Sequence, residues 1–192
     1  MIRGDRLEAL YSVATALGLR QGEALGLRWQ DVDLDERRLR VRVQLQRVDG
    51  TLQPVELKTT KSRSTVDLPN VVVDALRGHR VRQLEDRLRA GDLWHESDLV
   101  FTTSVGTPLD RHNVTRYFQR ILKGLEMKPK RFHDLRHTTA SLLLAQGVPL
   151  HEVSAIVGHS GIQITSDIYG HLYEQRRREI ADGMDAFLRG AR

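Results

Sequence analysis

The 192-residue sequence contains no cysteine, which excludes a disulfide framework, a thiolate zinc site and a cysteine nucleophile. It has no apolar run of membrane-spanning length, and its first ten residues lack the apolar core of a signal peptide. Internal repeats, low-complexity tracts and Gly/Ser linkers are also missing. We therefore expect a cytoplasmic protein with no membrane partner.

The residues that are present have the composition of an ordinary globular domain, with 40% hydrophobic and 29% charged residues. A chain of this length can bury one sizeable core and is short for two. The net charge of +5 and the pI near 9.9 favour a polyanion such as nucleic acid as a partner. Many soluble proteins with other partners carry a similar excess of basic residues, so charge alone leaves the function open.

Apolar residues at helical spacing predict that most of the chain is helical. One helix is expected over residues 5–17, where Gly18 ends it, and another runs from an Asn70 cap to about Arg89. Asp110 is the expected N-cap of a third helix. The predicted apolar stripes are Val73, Leu76, Leu84 and Leu88 on the second helix, and Val114, Phe118, Ile121, Leu122 and Leu125 on the third.

A strict alternation of apolar and polar residues from Leu39 to Leu45 predicts a half-buried strand. Asp49-Gly50 is a hairpin turn signal, and further strands are expected around 55–57 and 65–68. The polar connection between these last two strands carries Lys58. We therefore predict an α+β domain, mainly α with a small three-stranded antiparallel sheet.

Residues 131–172 concentrate side chains of chemical use. His133, Arg136 and His137 stand at i, i+3 and i+4, so on a helix they share one face and can point at one ligand. The apolar residues Leu135, Leu142 and Leu143 mark a different face of the same predicted helix.

A second short helix, with Leu150, Val153 and Ile156 as its apolar members, is expected to end at Gly158. His159 then lies just past a helix end. Ser160 and Gln163 have the spacing of a capping box that opens a further helix, and this helix carries Tyr169.

Arg20 lies in the segment G-L-R-Q-G-E, residues 18–23, where a helix junction is expected. From the residues alone, Arg20 and Glu23 at i, i+3 have the spacing of an ordinary surface ion pair. The segment indicates a function only in combination with the other motifs.

The motifs H-D-L-R-H (133–137), V-G-H-S (157–160) and D-I-Y-G-H-L (167–172) closely resemble the catalytic domain of the tyrosine recombinase, or phage integrase, family. The G-L-R-x-G-E pattern around Arg20 and the run K-T-T-K-S-R-S-T-V-D-L-P (58–69) match two further motifs. The resemblance covers nearly the whole chain, and the agreement of these motifs in order and spacing makes chance agreement implausible. It implies the tyrosine recombinase catalytic-domain fold.

The resemblance also implies an active site without metal or other cofactor, in which Glu23 supports the reacting groups and Lys61 is a weaker claimant to the role of Lys58. The implied activity is that of a site-specific recombinase, which cleaves and rejoins DNA through a 3′-phosphotyrosyl intermediate that the 5′ hydroxyl of a partner strand then attacks. The implied catalytic residues are Arg20, Lys58, His133, Arg136, His159 and Tyr169.

This residue set suits the chemistry. A tyrosine oxygen with a pKa of about 10 is only about one part in a thousand phenolate at neutral pH, so Tyr169 needs a base and a positive field. Two arginines can each donate paired hydrogen bonds to non-bridging phosphate oxygens. His159 would donate to the same oxygens, His133 would accept the proton of Tyr169, and Lys58 would protonate the departing 5′ oxygen.

The expected partners are double-stranded recombination sites and other protomers of the same protein, as a tetramer on DNA. We expect residues 1–192 to form a single catalytic domain, without the N-terminal DNA-clamping domain that the family carries. The tail 173–192 is expected to be a helix, with Ile180, Met184, Phe187 and Leu188 as an apolar stripe, that docks on a neighbouring protomer. Candidate phosphate contacts are Lys61, Arg63, Lys128, Lys130 and Arg131.

Two other functions compete with this interpretation. His133 and His137 around Asp134 are similar to the H-E-x-x-H zinc helix of metallohydrolases, although Asp is shorter than Glu and Arg136 would repel a cation. A non-catalytic DNA-binding relative of the recombinases is the second alternative. Against it, every expected catalytic position is occupied. We interpret His137, His151 and His171 as structural or surface residues, and Tyr173 is the rival of Tyr169.

Overall fold

The computed structural model describes residues 4–57, 64–158 and 180–190. The chain divides into two units, Met1–Thr139 and Ala140–Arg192, which we describe separately. Within the described ranges, no helix is both long enough and apolar enough to cross a membrane. The helices are α1 (Glu8–Leu17), α2 (Gln21–Leu25), α3 (Asn70–Ala90), α4 (Arg111–Gly124), α5 (Asp134–Ala145) and α6 (Leu150–Ile156), and residues 180–190 are also helical.

The core of the first unit is built around α1. Leu10, Val13 and Ala14 have no exposed surface, and α1 packs against both α2 and α3. Gly18 ends α1 in the left-handed conformation at φ 62°, which glycine adopts without a Cβ clash. The predicted helix and its predicted end are both confirmed.

The strands differ from the prediction in how they pair. The expected strand from Leu39 to Leu45 divides at Arg42 into two strands, and the single three-stranded sheet that we predicted from 39–45, 55–57 and 65–68 is replaced by two antiparallel sheets with the orders β1-β2-β5 and β3-β4. The strands are β1 (Val32–Asp33), β2 (Arg38–Val41), β3 (Val43–Val48), β4 (Thr51–Glu56) and β5 (Ser64–Asp67).

The division at Arg42 has a physical cause in the pairing. The alternation of buried residues continues through both strands, because Leu39 and Val41 on β2 and Val43 and Leu45 on β3 are all buried. What changes at Arg42 is the neighbouring strand, which is β5 before it and β4 after it. A period-2 pattern records which face is buried and carries no information on the partner strand.

The hairpin predicted at Asp49-Gly50 joins β3 to β4 and is confirmed. Val48 pairs with Thr51, so the loop has two residues, and both have positive φ, 47° and 78°. This is the backbone of the turns that match the twist of an antiparallel pair, and an Asp-Gly sequence suits it.

Helix α3 is buried only in its first half. Val72, Val73, Leu76 and His79 are buried, whereas Leu84 and Leu88, which we predicted on the buried face, are 52% and 84% exposed. The helical period of the apolar residues continues beyond the part that packs in the core, so the pattern overstated the burial. The cap also differs, because Pro69 precedes the helix and Asn70 is its first residue.

The N-terminus of α4 matches the prediction. The Asp110 carboxylate accepts hydrogen bonds from the backbone N–H groups of His112 and Asn113, as an N-cap should. Most of the predicted stripe is at least partly buried, but Leu125 is 55% exposed because it lies just past the helix end.

The second unit has a small core of its own. Ala140, Val153 and Val157 are buried together, and Leu143, Leu144 and Val148 pack against them. The expected end of α6 at Gly158 is confirmed by its φ of 59°, but Ile156 is 47% exposed and Val157 takes the buried position instead. The predicted capping box at Ser160 lies outside the described residues.

Candidate active site

The turn between α1 and α2 presents Arg20. Gly18 reverses the chain at the end of α1, and Arg20 is the N-cap of α2 with extended backbone. Arg20 is therefore held at a helix junction, as predicted, by two short elements that both pack in the core. Its side chain remains 48% exposed, so the guanidinium can reach a ligand.

Glu23 fixes Arg20 at two points. One carboxylate oxygen accepts from the backbone N–H of Arg20 at 2.8 Å, and the other accepts from the Arg20 guanidinium at 2.9 Å. Glu23 itself is 6% exposed. A buried carboxylate that binds both ends of one residue limits the conformations of that residue, so Glu23 orients Arg20 more than a surface ion pair could.

Arg136, on α5, contacts the same turn although it is distant in the sequence. Arg136 is 3% exposed, and its guanidinium donates a hydrogen bond of 2.7 Å to the carbonyl oxygen of Gly18, 118 residues away. Because Gly18 lies two residues before Arg20, this hydrogen bond brings the two predicted arginines to one backbone turn. The carbonyl groups at a helix end carry partial negative charge, which favours a cation there.

His133 precedes the first residue of α5 and remains accessible to solvent. Its ring contacts the ring of His137, with centroids 5.0 Å apart and planes at 89°. Partial burial lowers the pKa of His133 below its usual value, and the nearby His137 and Arg136 lower it further. The neutral form, which can accept a proton, is therefore favoured near neutral pH.

The N-terminus of α5 is held by Asp134. Its carboxylate accepts from the backbone N–H of Arg131 at 2.7 Å and from the Arg131 guanidinium at 3.3 Å. Burial alone would raise the pKa of Asp134, but these two interactions with Arg131 lower it below its usual value. A carboxylate in the first turn also suits the positive end of the helix dipole.

The remaining predicted residues fall into two groups. Lys128, Lys130 and Arg131 are exposed on the segment that leads into α5, where they can contact a phosphate backbone. The predicted residues Lys58, Lys61, Arg63, His159 and Tyr169 lie outside the described residues, so their roles stay predictions.

The described residues offer no clear site for a metal ion. Within residues 4–57, 64–158 and 180–190, no group of three or more His, Asp or Glu side chains is arranged to hold a metal ion. His133 and His137 also stand beside the cationic Arg136, which repels a cation.

Two contacts at this site were not predicted from the sequence. In the first, the Arg136 guanidinium donates a hydrogen bond to the Gly18 carbonyl. In the second, the Thr139 hydroxyl donates a hydrogen bond of 2.6 Å to the carbonyl of Thr15, in the last turn of α1. Thr139 stands three residues after Arg136, so the helical spacing places both on one face of α5. That spacing was visible in the sequence, but nothing in it names the two acceptors.

Comparison with known proteins identifies the family. The model of the Phage integrase family matches residues 4–176. The chain is 36% identical to the tyrosine recombinase XerC-like protein of Caldanaerobacter subterraneus subsp. tengcongensis, over 97% of this chain and 51% of that protein. It is 30% identical to the ICEBs1 integrase of Bacillus subtilis, over 98% of this chain and 51% of that protein. The chain thus spans about half the length of these curated relatives.

Solved structures agree on the fold. The Tn1549 transposon integrase in complex with a circular intermediate DNA superposes with a TM-score of 0.76 at 24% identity, covering 94% of this chain and 61% of that chain. XerA recombinase superposes with a TM-score of 0.69 at 26% identity, covering 93% and 58%. The chain belongs to the phage integrase family of tyrosine recombinases and has the catalytic-domain fold of that family.

Proposed function

We propose that this chain is the catalytic domain of a site-specific recombinase that cleaves and rejoins double-stranded DNA through a tyrosyl-phosphate ester. The observation that carries the proposal is the hydrogen bond from Arg136 to the Gly18 carbonyl, which joins two family motifs at the turn that presents Arg20. Two guanidinium groups at one turn form a site for an anion with several oxygens, such as a phosphodiester.

Arg20 and Arg136 would both bind the phosphate, but each is held in place by a different group. Arg20 is half exposed and is oriented by the buried carboxylate of Glu23, whereas Arg136 is buried and is held by a backbone carbonyl. Both would donate to the non-bridging oxygens as negative charge builds in the transition state. Arginines in comparable phosphoryl transfers contribute roughly a thousandfold or more to the rate.

His133 is the proposed proton acceptor. Its ring is accessible, and burial together with His137 and Arg136 lowers its pKa, so it is neutral and able to accept a proton at physiological pH. The proton would come from the phenol of Tyr169, which needs such help because its oxygen is protonated at neutral pH.

Three roles rest on the motif positions alone. Tyr169 is the proposed nucleophile, His159 a donor to the phosphate oxygens, and Lys58 the acid that protonates the departing 5′ oxygen. The bond from phosphorus to the 5′ oxygen breaks as the bond to the tyrosine oxygen forms, so the energy of the phosphodiester is kept for rejoining. The scheme needs no metal and no high-energy cofactor.

The proposed partners are DNA and further copies of the chain. Lys128, Lys130 and Arg131 are exposed in front of the His133 helix and would contact phosphates beside the cleaved bond, as would Lys61 and Arg63. Tn1549 integrase and XerH site-specific recombinase have been solved with DNA. A tetramer on paired sites follows from the need to exchange strands between two duplexes.

A covalent adduct tests the proposed function. The chain is incubated with a suicide duplex, nicked so that the cleaved fragment is lost and religation is prevented, with the target sequence first selected from a randomised duplex library. Denaturing gels should reveal a protein–DNA adduct that Tyr169→Phe abolishes while DNA binding persists. Tyr173→Phe is the matched control and should leave the adduct intact. An undiminished adduct in Tyr169→Phe would assign the nucleophile elsewhere.

A further inference from the structure

The first turns of α5 hold a histidine that has no part in the proposed reaction. His137 is half-buried and lies one helical turn after His133. The two imidazole rings meet edge to face, with centroids 5.0 Å apart and an interplanar angle of 89°. Edge-to-face contact is one of the two arrangements, with offset stacking, that aromatic ring pairs in proteins prefer.

We propose that His137 is a positioning residue that sets the orientation of the His133 ring in the active site. The inference rests on the proposed function, because it concerns the proton acceptor of that reaction. His133 precedes α5 and is accessible, so the helix does not immobilise its side chain. The half-buried ring of His137, one turn further on, is the surface against which His133 can hold one rotamer.

The pKa of His133 also indicates that His133 and His137 interact. Burial is the largest cause of the lowered pKa of His133, and His137 comes next, ahead of Arg136 and Arg131, while Asp134 opposes them. His137, Arg136, Arg131 and Asp134 are the charged or titratable groups with the leading effects on the pKa of His133. Replacing His137 with an uncharged side chain should therefore raise the pKa of His133, because His137 disfavours protonation of His133.

Two substitutions separate the two effects of His137. His137→Phe keeps an aromatic ring at the contact and removes the charge, whereas His137→Ala removes both. The orientation of the ring should survive in the first variant and be lost in the second. His151→Ala, on an exposed histidine of α6, is the matched control.

The test first uses NMR titration of the isolated chain with labelled histidine, which does not depend on recombinase activity. Because the two rings interact, both titration curves are followed together. In His137→Phe and His137→Ala the titration midpoint of His133 should rise, because neither new side chain can carry a charge that disfavours protonation of His133. In His137→Ala the ring of His133 should in addition sample several rotamers, seen as averaged side-chain couplings.

Cleavage of the suicide duplex then links orientation to function. The acidic limb of the pH–rate profile should move to higher pH in both variants, and at the plateau His137→Ala should be slower than His137→Phe by about tenfold with unchanged DNA affinity. An unaltered rotamer of His133 in His137→Ala would overturn the inference, whether or not the titration midpoint moves. Absence of cleavage by the unmodified chain would instead overturn the proposed function, and the NMR result would stand apart from it.

Discussion

Thr139 and Thr15 are 124 residues apart in the chain, and the Thr139 hydroxyl donates a hydrogen bond of 2.6 Å to the Thr15 carbonyl oxygen. Thr139 is 3% exposed and lies one turn after Arg136, which binds the Gly18 carbonyl just past the end of α1. Two buried hydrogen bonds thus tie one face of α5 to the end of α1. We expect this pair of contacts to help fix the position of the Arg136 guanidinium.

Thr139→Val should weaken that tie with little change in volume. Loss of one buried hydrogen bond costs about 1 kcal/mol of unfolding free energy, measured by urea denaturation. Cleavage of the suicide duplex should slow by about tenfold, because small displacements of positioning groups are costly in catalysis. Thr138→Val is the control, since the Thr138 hydroxyl is exposed and bonds only locally, to the Asp134 carbonyl. Equal losses of cleavage rate and stability in the two variants would contradict the role of Thr139 in positioning Arg136.

Arg136→Lys tests whether the paired donors of the guanidinium matter beyond its charge. Lysine keeps the charge but presents a single ammonium, so cleavage should fall by roughly a thousandfold while DNA affinity changes little. Single-turnover cleavage and gel-shift titration measure the two quantities. Arg131→Lys, at a side chain that is 80% exposed, should change cleavage only slightly. A near-normal cleavage rate in Arg136→Lys would mean that only the positive charge of Arg136 is needed and that its paired donors are not.

Lys58 is expected to protonate the departing 5′ oxygen. A substrate with a 5′-bridging sulfur has a leaving group that needs little protonation, so it should restore cleavage in Lys58→Ala far more than in Arg136→Ala. The rates on the oxygen and sulfur substrates are compared for each variant. Lys61→Ala is the matched control, and if the sulfur substrate restored that variant instead, Lys61 would take the role.

The helical residues 180–190 are exposed, including Ile180, Phe187 and Leu188 of the predicted stripe. Deletion of residues 174–192 should therefore leave the thermal unfolding midpoint nearly unchanged but impair assembly on paired sites. The isolated chain should be monomeric, because one short helix face buries less than the roughly 800 Å² per partner of stable interfaces.

A point variant refines the same prediction. Phe187→Ser should reduce assembly, measured by light scattering on paired sites, whereas Leu88→Ser on the exposed half of α3 should not. A large drop in the unfolding midpoint of the truncated chain would mean that the tail packs within its own protomer.

His79 makes the stability of the first unit sensitive to acid. It is 5% exposed, and one ring nitrogen lies 2.7 Å from the Val100 carbonyl. Burial is the main cause of its lowered pKa, so the folded state holds His79 neutral while the unfolded chain protonates it at its usual value of 6.5. The unfolding free energy should therefore fall as the pH drops below that value.

The contribution of His79 is isolated by substitution. Urea unfolding at about pH 7.5 and about pH 5.5 should give a smaller pH-dependent loss for His79→Gln than for the unmodified chain. His151→Gln should behave like the unmodified chain, because the His151 side chain is 71% exposed. An identical pH dependence in all three proteins would show that His79 is not the sensitive group.

Much of the fold followed from local patterns. The end of α1 at Gly18, the Asp49-Gly50 hairpin and the Asp110 cap were predicted correctly, because each depends on the backbone preferences and hydrogen bonds of adjacent residues. The exposure of Leu84 and Leu88 was not predicted, since a helical stripe tells which face is apolar and not how far the packing partner extends.

The sequence by itself indicated the family, through motifs whose residue types, order and spacing resemble those of the tyrosine recombinases. It also predicted that His133 and Arg136 lie on one helix, although in the structure His133 directly precedes α5 and only Arg136 lies within it. Only the tertiary structure decided that Arg136 and Thr139 bind the carbonyls of Gly18 and Thr15, and that the chain changes partner strand at Arg42. The physical reason is common to these cases. Backbone carbonyl and N–H groups are the same in nearly every residue, so which of them meet across more than a hundred residues is decided by packing and leaves no pattern in the sequence.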